Sequence, residues 1–298
     1  MERKTAGEFD QELLNLFDLY VHGDIDRRGF LERAAKFAVG GMTAAMLLDA
    51  LRPRFAQAQQ VAKDDKRLRI EWIDYESPQG TGKVRAYLVR PEAVTAKLPG
   101  VLVVHENRGL NPHIEDIARR LALENFVALA PDALTPLGGY PGDEDKAREA
   151  FAKLDPTKTR EDFVAAAGVL KSRPECTGKI GVVGFCYGGT VANILATRLP
   201  DLAAAVPFYG TQPTAAEAAR IKAPLLIHYA DNDDRVNSGW PAYEAALKAS
   251  QVTYTMHRYP GTQHGFNNDT TPRYDRAAAA LAWQRTVDFL NKNLRAAG

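Results

Sequence analysis

The sequence is short of cysteine, with two in 298 residues, Cys176 and Cys186. Two cysteines build no disulfide framework. They cannot bond each other if the apolar run between them is a strand, because about seven strand residues span roughly 20 Å, far beyond disulfide reach. Histidine is scarce too, six in all and without paired metal-ligand spacing, so no structural zinc motif is present. No unbroken apolar run reaches the roughly 18 residues of a membrane-spanning helix. Excess charge is also missing: 38 basic residues face 37 acidic ones, a formal net charge of +1. That balance offers no basic footprint for DNA or RNA. What remains is an ordinary folding composition, 45% hydrophobic and 25% charged, sufficient for one large α/β domain or two small ones.

Residues 1 to about 60 differ from the rest and support two readings. In the first they are an export signal. Arg27-Arg28-Gly29-Phe30-Leu31 resembles a twin-arginine signal, the uncharged stretch from Phe37 to Leu48 follows it, and Ala56-Gln57-Ala58 offers a small-x-small cleavage site. That reading places the protein in the periplasm or outside the cell. In the second they are a retained helical arm of a cytoplasmic protein, the reading favoured here. Phe9, Leu13, Leu16, Phe17 and Tyr20 recur with the spacing of one helix face. A second helix is predicted from Asp26, with Phe30, Ala34, Phe37, Ala38, Gly41 and Ala45 on one side. Gly40-Gly41 would permit close helix packing. The apolar face of such an arm must be buried, either on the rest of the chain or against a second copy in a homodimer.

From residue 61 a second domain is predicted. Leu68 to Tyr75 and Val84 to Val89 read as an antiparallel hairpin. The apolar runs Gly100 to His105, Lys179 to Phe185, Leu202 to Phe208 and Pro224 to Tyr229 suit strands covered on both faces. Helical patterns alternate with them, and Trp283, Val287, Leu290 and Leu294 mark a closing helix. This alternation predicts an α/β fold with a doubly wound, mostly parallel sheet.

Four motifs sit at predicted strand ends. Gly184-Phe185-Cys186-Tyr187-Gly188 has the form G-x-Nu-x-G, a nucleophile held on a sharp strand-to-helix turn. Glycines are needed where the chain folds back on itself. The next helix aims its N-terminus at the sulfur and favours thiolate. Cys176 has no motif around it. Asp231, Asp233 and Asp234 follow another strand, and one of them could orient an imidazole; the others read as loop acids. His264 lies in Gly261-Thr262-Gln263-His264-Gly265 and completes the order nucleophile, acid, histidine. His105-Glu106-Asn107-Arg108-Gly109 follows the first long apolar strand. There the backbone N–H of Asn107 would join that of Tyr187 in holding an oxyanion, and losing one such donor costs about 3–4 kcal/mol.

Together these motifs resemble the dienelactone hydrolase (carboxymethylenebutenolidase) family of α/β-hydrolases, over about residues 68 to 295. The resemblance implies an α/β-hydrolase fold, to which the predicted N-terminal helical extension, outside the family's pattern, is added. It implies a metal-free, cofactor-free, monomeric hydrolase of cyclic enol lactones. It makes Cys186 the nucleophile, His264 the base, Asp233 its orienter and Glu106 the carboxylate that helps generate thiolate. Two features depart from the family. Phe266-Asn267-Asn268 has no arginine after the histidine, and the loop Leu137 to Pro141 lacks the second substrate-binding arginine. Arg108 and Arg273 are the nearest replacements in sequence, and Tyr140 is a further candidate substrate contact.

The expected function is therefore cleavage of a small carboxylic ester or lactone through a thioacyl intermediate, with a small-molecule substrate and no stable membrane insertion. Two alternatives use the same residues: a thioesterase or polyester-type esterase, and a non-catalytic hydrolase-fold protein that binds a ligand or senses oxidants through Cys186.

Overall fold

The computed structural model describes residues 4–295; residues 1–3 of the predicted arm and 296–298 of the predicted second domain lie outside the described residues. Four helices make up the arm: α1 (Gln11–His22), α2 (Arg27–Ala34), α3 (Ala44–Leu51) and α4 (Phe55–Ala58). The body begins with the strands β1 (Leu68–Ser77), β2 (Gly82–Pro91) and β3 (Leu98–Val104). After these come α5 (Pro112–Leu123), β4 (Val127–Pro131), α6 (Glu144–Phe151) and α7 (Pro156–Ser172). β5 (Cys176–Phe185) runs directly into α8 (Tyr187–Arg198). Next are β6 (Ala204–Phe208), α9 (Ala215–Ala218), β7 (Leu225–Asn232), α10 (Asp234–Asn237), α11 (Trp240–Ala249), β8 (Tyr254–Gln263) and α12 (Arg276–Leu294).

The eight strands form one sheet in the order β1-β2-β4-β3-β5-β6-β7-β8. β2 is antiparallel to β1 and to β4, and the remaining pairs are parallel. The apolar runs are explained by burial on both faces. Leu102 and Val104 enter one core cluster, with Val182 of β5, while Val101 and Val103 enter the other, with Val183. The chain steps outward from β3 to β4, then returns to the far side of β3 for β5. The carboxyl ends of β3 and β5 thus flank a topological switch point, where open α/β sheets hold their ligands.

The arm differs from its sequence reading in three ways. Phe9 precedes α1 rather than belonging to it, because Asp10 caps the helix by accepting from the Glu12 N–H. The second helical pattern stops at Ala34 with a single 3-10 turn to Phe37, so Gly40 and Gly41 lie in the loop beyond it instead of tightening a helix. Both have left-handed backbones, with φ of 62° and 86°, and α3 starts afresh after Thr43. The apolar face of α1 is buried mainly within the arm. Leu13, Leu14, Leu16, Phe17 and Tyr20 cluster with Phe30, Ala34, Leu47, Leu48 and Leu51.

Attachment to the body is largely polar. Tyr20 and Arg52 both bond Asp145. Arg148 Nη1 donates to the Tyr20 carbonyl at 3.3 Å, and the Val21 carbonyl accepts from Asn107 Nδ2 at 2.9 Å and Arg108 Nη2 at 3.1 Å. The donors to Val21 fill a place that the last turn of a helix leaves open, while the Tyr20 carbonyl also accepts from the Gly23 N–H at 3.2 Å.

Candidate active site

Cys186 occupies the bend between β5 and α8. With a helix starting at the next residue, it makes the turn alone, and its φ is 55°. A non-glycine residue in that region carries about 1–3 kcal/mol of strain and persists only where its surroundings fix it. The flanking glycines are required by contact. A Cβ on Gly184 would lie 1.9 Å from the Gly188 carbonyl oxygen, and one on Gly188 would lie 2.2 Å from that of Val104. The Cys186 N–H donates to the Phe208 carbonyl at 3.1 Å and ties the bend to β6.

Strand register brings the histidine and acid together. Asn232 of β7 pairs with Gln263 of β8, so the residues that follow leave the sheet side by side. His264 Nδ1 donates to Asp233 Oδ2 at 2.6 Å, and both residues are buried. Asp231 serves elsewhere, accepting from the Gly261 N–H at 3.1 Å, and Asp234 opens α10.

Glu106 lies with Cys186 and His264 on the wall of a cavity of about 50 Å³. Its Oε2 accepts from Asn268 Nδ2 at 2.8 Å, so an asparagine from the stretch without arginine holds this carboxylate. Arg108 and Arg273 both reach the cavity. Arg273 Nη1 donates to Asp18 Oδ1 at 3.0 Å and Arg108 Nε lies 3.8 Å from Glu144 Oε2; the buried Nε atoms of both arginines have no hydrogen-bond partner among the described residues. Tyr140 stands further out. Its hydroxyl donates to Glu144 at 2.9 Å, and Glu144 lines the cavity. His105 is part of the scaffold, with Nε2 accepting from the Ala133 N–H at 3.1 Å.

One site residue carried no sequence signal. His22, the last residue of α1, places Nε2 at 3.4 Å from Cys186 Sγ. Its Nδ1 lies 2.8 Å from the Asp18 carbonyl and 3.3 Å from Asp18 Oδ2. Two imidazoles, each backed by an aspartate, therefore face one sulfur. A ring nitrogen of His22, one of His264 and the sulfur lie within 4.8 Å of one another. Such a His₂Cys set matches a borderline-soft divalent ion in ligand type. Arg235 Nη2, however, stands 2.8 Å from His22 Nε2 and uses the same lone pair.

Residues 84–294 match the model of the dienelactone hydrolase family. The chain belongs to that family. Within this dienelactone hydrolase family member, residues 1–36 also match a model described as YqhI-like. "Putative hydrolase fragment YghX" of Escherichia coli K12 is 54% identical over 39% of this chain and 99% of its own. "Probable 2-oxo-3-(5-oxofuran-2-ylidene)propanoate lactonase" of Bradyrhizobium is 32% identical over 76% of this chain and 96% of its own. Among solved structures, a "Putative Dienelactone Hydrolase" from Klebsiella pneumoniae superposes with a TM-score of 0.67 at 27% identity, covering 75% of this chain and 99% of that one.

The electrostatics of this hydrolase favour a charged sulfur. Burial opposes the Cys186 thiolate, but His264 and His22 outweigh it and bring the thiol from 9.0 down to about 5. Burial likewise opposes the His264 imidazolium. Asp233 and the Cys186 thiolate overcome that and raise it to about 10. For His22 the thiolate and Asp18 prevail over burial and raise it to about 8. Asp18 is buried as well, yet His264, His22 and Arg273 hold its carboxyl well below the usual range.

Proposed function

We propose that the protein cleaves a small carboxylic ester or lactone through a thioester on Cys186. The observation that carries this reading is the strained Cys186 turn beside the His264–Asp233 pair, whose Nδ1–Oδ2 distance is 2.6 Å. In this mechanism the Cys186 sulfur attacks the carbonyl carbon. The negative oxygen is held by the backbone N–H groups of Tyr187 and Asn107, Tyr187 being the first residue of α8, where no intrahelical partner exists. His264 protonates the departing oxygen, then takes a proton from the water that releases the acid. Asp233 keeps the proton of His264 on Nδ1 and presents Nε2 to the reaction. Acylation removes the charge of the sulfur, so the neutral His264 left by that proton transfer has no thiolate beside it and is ready to act as the base. Glu106, steadied by Asn268, backs thiolate formation from the cavity wall.

The substrate reading follows from the cavity. The buried Nε groups of Arg108 and Arg273 without hydrogen-bond partners suit an acyl part that carries an anionic group. The Bradyrhizobium relative, named a lactonase of a carboxylated lactone, is consistent with this. The test is a panel of esters and lactones with and without a carboxylate, run on the wild type and Cys186→Ala. Loss of all turnover in the variant, with its fold intact by circular dichroism, is the expected result. Unchanged turnover would remove the mechanism.

A further inference from the structure

Two cavities border Cys186, and His22 lines one of them. The smaller, about 50 Å³, contains His264, Glu106, Arg108 and Arg273 but not His22. The larger, about 270 Å³, contains His22 with Tyr187, Thr190 and Ile194, and it lacks His264. Cys186 and Asn107 border both. A substrate whose carbonyl sits on the sulfur thus extends one arm toward His264 and the other toward His22. We propose that His22 is a second catalytic acid of the ester cleavage proposed above: it takes the place of His264 in protonating the departing oxygen when the leaving alcohol occupies the larger cavity.

The surroundings of His22 suit this role. Asp18 of its own helix backs Nδ1. Cys186 and His264 face it from the body, the two imidazole rings lying with centroids 4.8 Å apart. Arg235 of α10 contacts Nε2 at 2.8 Å and is half-exposed. An arginine there is compatible only with neutral His22. The role proposed for His22 therefore requires this half-exposed side chain, which also lies 4.0 Å from Asp18 Oδ2, to move off Nε2 when that atom carries a proton.

The protons balance over one cycle. At the start the sulfur is a thiolate and both imidazoles are protonated. The S–C bond forms and the C–O bond breaks. The His22 Nε2 proton goes to the departing oxygen, leaving a thioester, neutral His22 and a free alcohol. His264, no longer supported by a thiolate, passes its proton to His22. Water then adds to the thioester carbon and gives a proton to His264. The C–S bond breaks, the acid leaves, and the starting state is restored. The net reaction is ester plus water giving acid plus alcohol.

Leaving-group dependence tests this. A p-nitrophenolate departs readily without a proton, whereas an alkoxide needs one. His22→Gln in the full chain should lower kcat/KM for an ethyl ester about 100-fold more than for the p-nitrophenyl ester of the same acid, the effect expected of a lost general acid. Equal losses on both esters would reduce His22 to a structural residue and overturn the proposal. A wild type that hydrolyses neither ester, with Cys186 intact, would instead sink the ester-hydrolase reading. The contact itself is checked without turnover. The pH midpoint of Cys186 alkylation by iodoacetamide should rise in His22→Gln, and an unchanged midpoint overturns the coupling of His22 to the sulfur.

Discussion

His22 Nε2 and Cys186 Sγ are 3.4 Å apart, although 164 residues of chain separate them. The contact makes the arm part of the wall around the sulfur. It also gives the polar attachment of the arm a consequence, because whatever moves the end of α1 moves an imidazole at the site. The Val21 carbonyl, fixed by Asn107 and Arg108, links this helix end to the strand-end loop proposed to hold the oxyanion.

The charge state of Cys186 gives a pH prediction. A thiol lowered to about 5 is already thiolate at neutral pH, and it loses reactivity only as pH falls through that value. Iodoacetamide alkylation should therefore be nearly level from about pH 6, one unit above the thiol's value, to pH 8, and drop on acidification. An unperturbed thiol would instead gain about tenfold per pH unit across the same interval. Cys176 does not confuse the readout, since it is buried and its pKa is raised, chiefly by that burial. A midpoint near 9 would contradict the electrostatics described here.

Among the three neighbouring acids, only Asp233 should matter for rate. Asp233→Asn leaves the shape of the side chain but offers an amide to His264 Nδ1, and a wrongly set imidazole lowers kcat on the order of 10⁴-fold. Asp231→Asn removes one acceptor for the Gly261 N–H at the protein surface and should leave kcat within a few-fold. Steady-state kinetics on the two variants checks this. A larger loss in Asp231→Asn would misplace the acid.

How much of this was legible in the sequence depended on how local each signal was. The Cys186 turn is specified within five residues, because a Cβ at Gly184 or Gly188 would strike backbone. The sheet strands were legible from apolar runs, since both faces of β3 and β5 enter cores. His264 followed from strand-end position, which left three acids open; Asp233 was singled out by the family resemblance, and the Asn232–Gln263 register accounts for the meeting of the two. His22 had no such marker. Its side chain is an ordinary helix-end histidine until α1 docks, and docking rests on contacts with Asp145, Arg148 and Arg273 that no periodicity encodes. The Gly40-Gly41 break was misread for a related reason. Apolar spacing continues past Ala34, where the helix stops, and on through the left-handed glycines of the loop.

The arm should respond to mutation as a unit. Phe30 is fully buried, with its ring 5.5 Å from that of Tyr20 and 6.2 Å from that of Phe17. Phe30→Ala would cost about 3–5 kcal/mol if the whole loss were felt. Because the apolar cluster is confined to the arm, the expected effect is local opening. Trypsin should cut near Arg27 to Lys36 faster, and amide exchange in α1 and α2 should accelerate, while the main melting transition changes little. A shift of the whole transition by the full cost would show that arm and body unfold together.

Two glycine substitutions should move stability in opposite directions. At Gly188 an added Cβ would lie 2.2 Å from the Val104 carbonyl oxygen and 2.7 Å from that of His105. Both are backbone atoms at the end of β3, so the elbow and the strand would have to separate. Gly188→Ala should therefore cost about 3 kcal/mol or more, above ordinary overpacking, and abolish turnover by moving Cys186. Gly168 lies within α7, is exposed, and has nothing within 4 Å of an added Cβ. There alanine only restricts the unfolded chain and improves helix propensity, a gain of roughly 0.5–1 kcal/mol. For a protein of this size that corresponds to a melting temperature roughly 1–4 °C higher. Calorimetry on the two variants measures both signs. A Gly188→Ala protein that melts and turns over like the wild type would mean that the elbow is not packed as described.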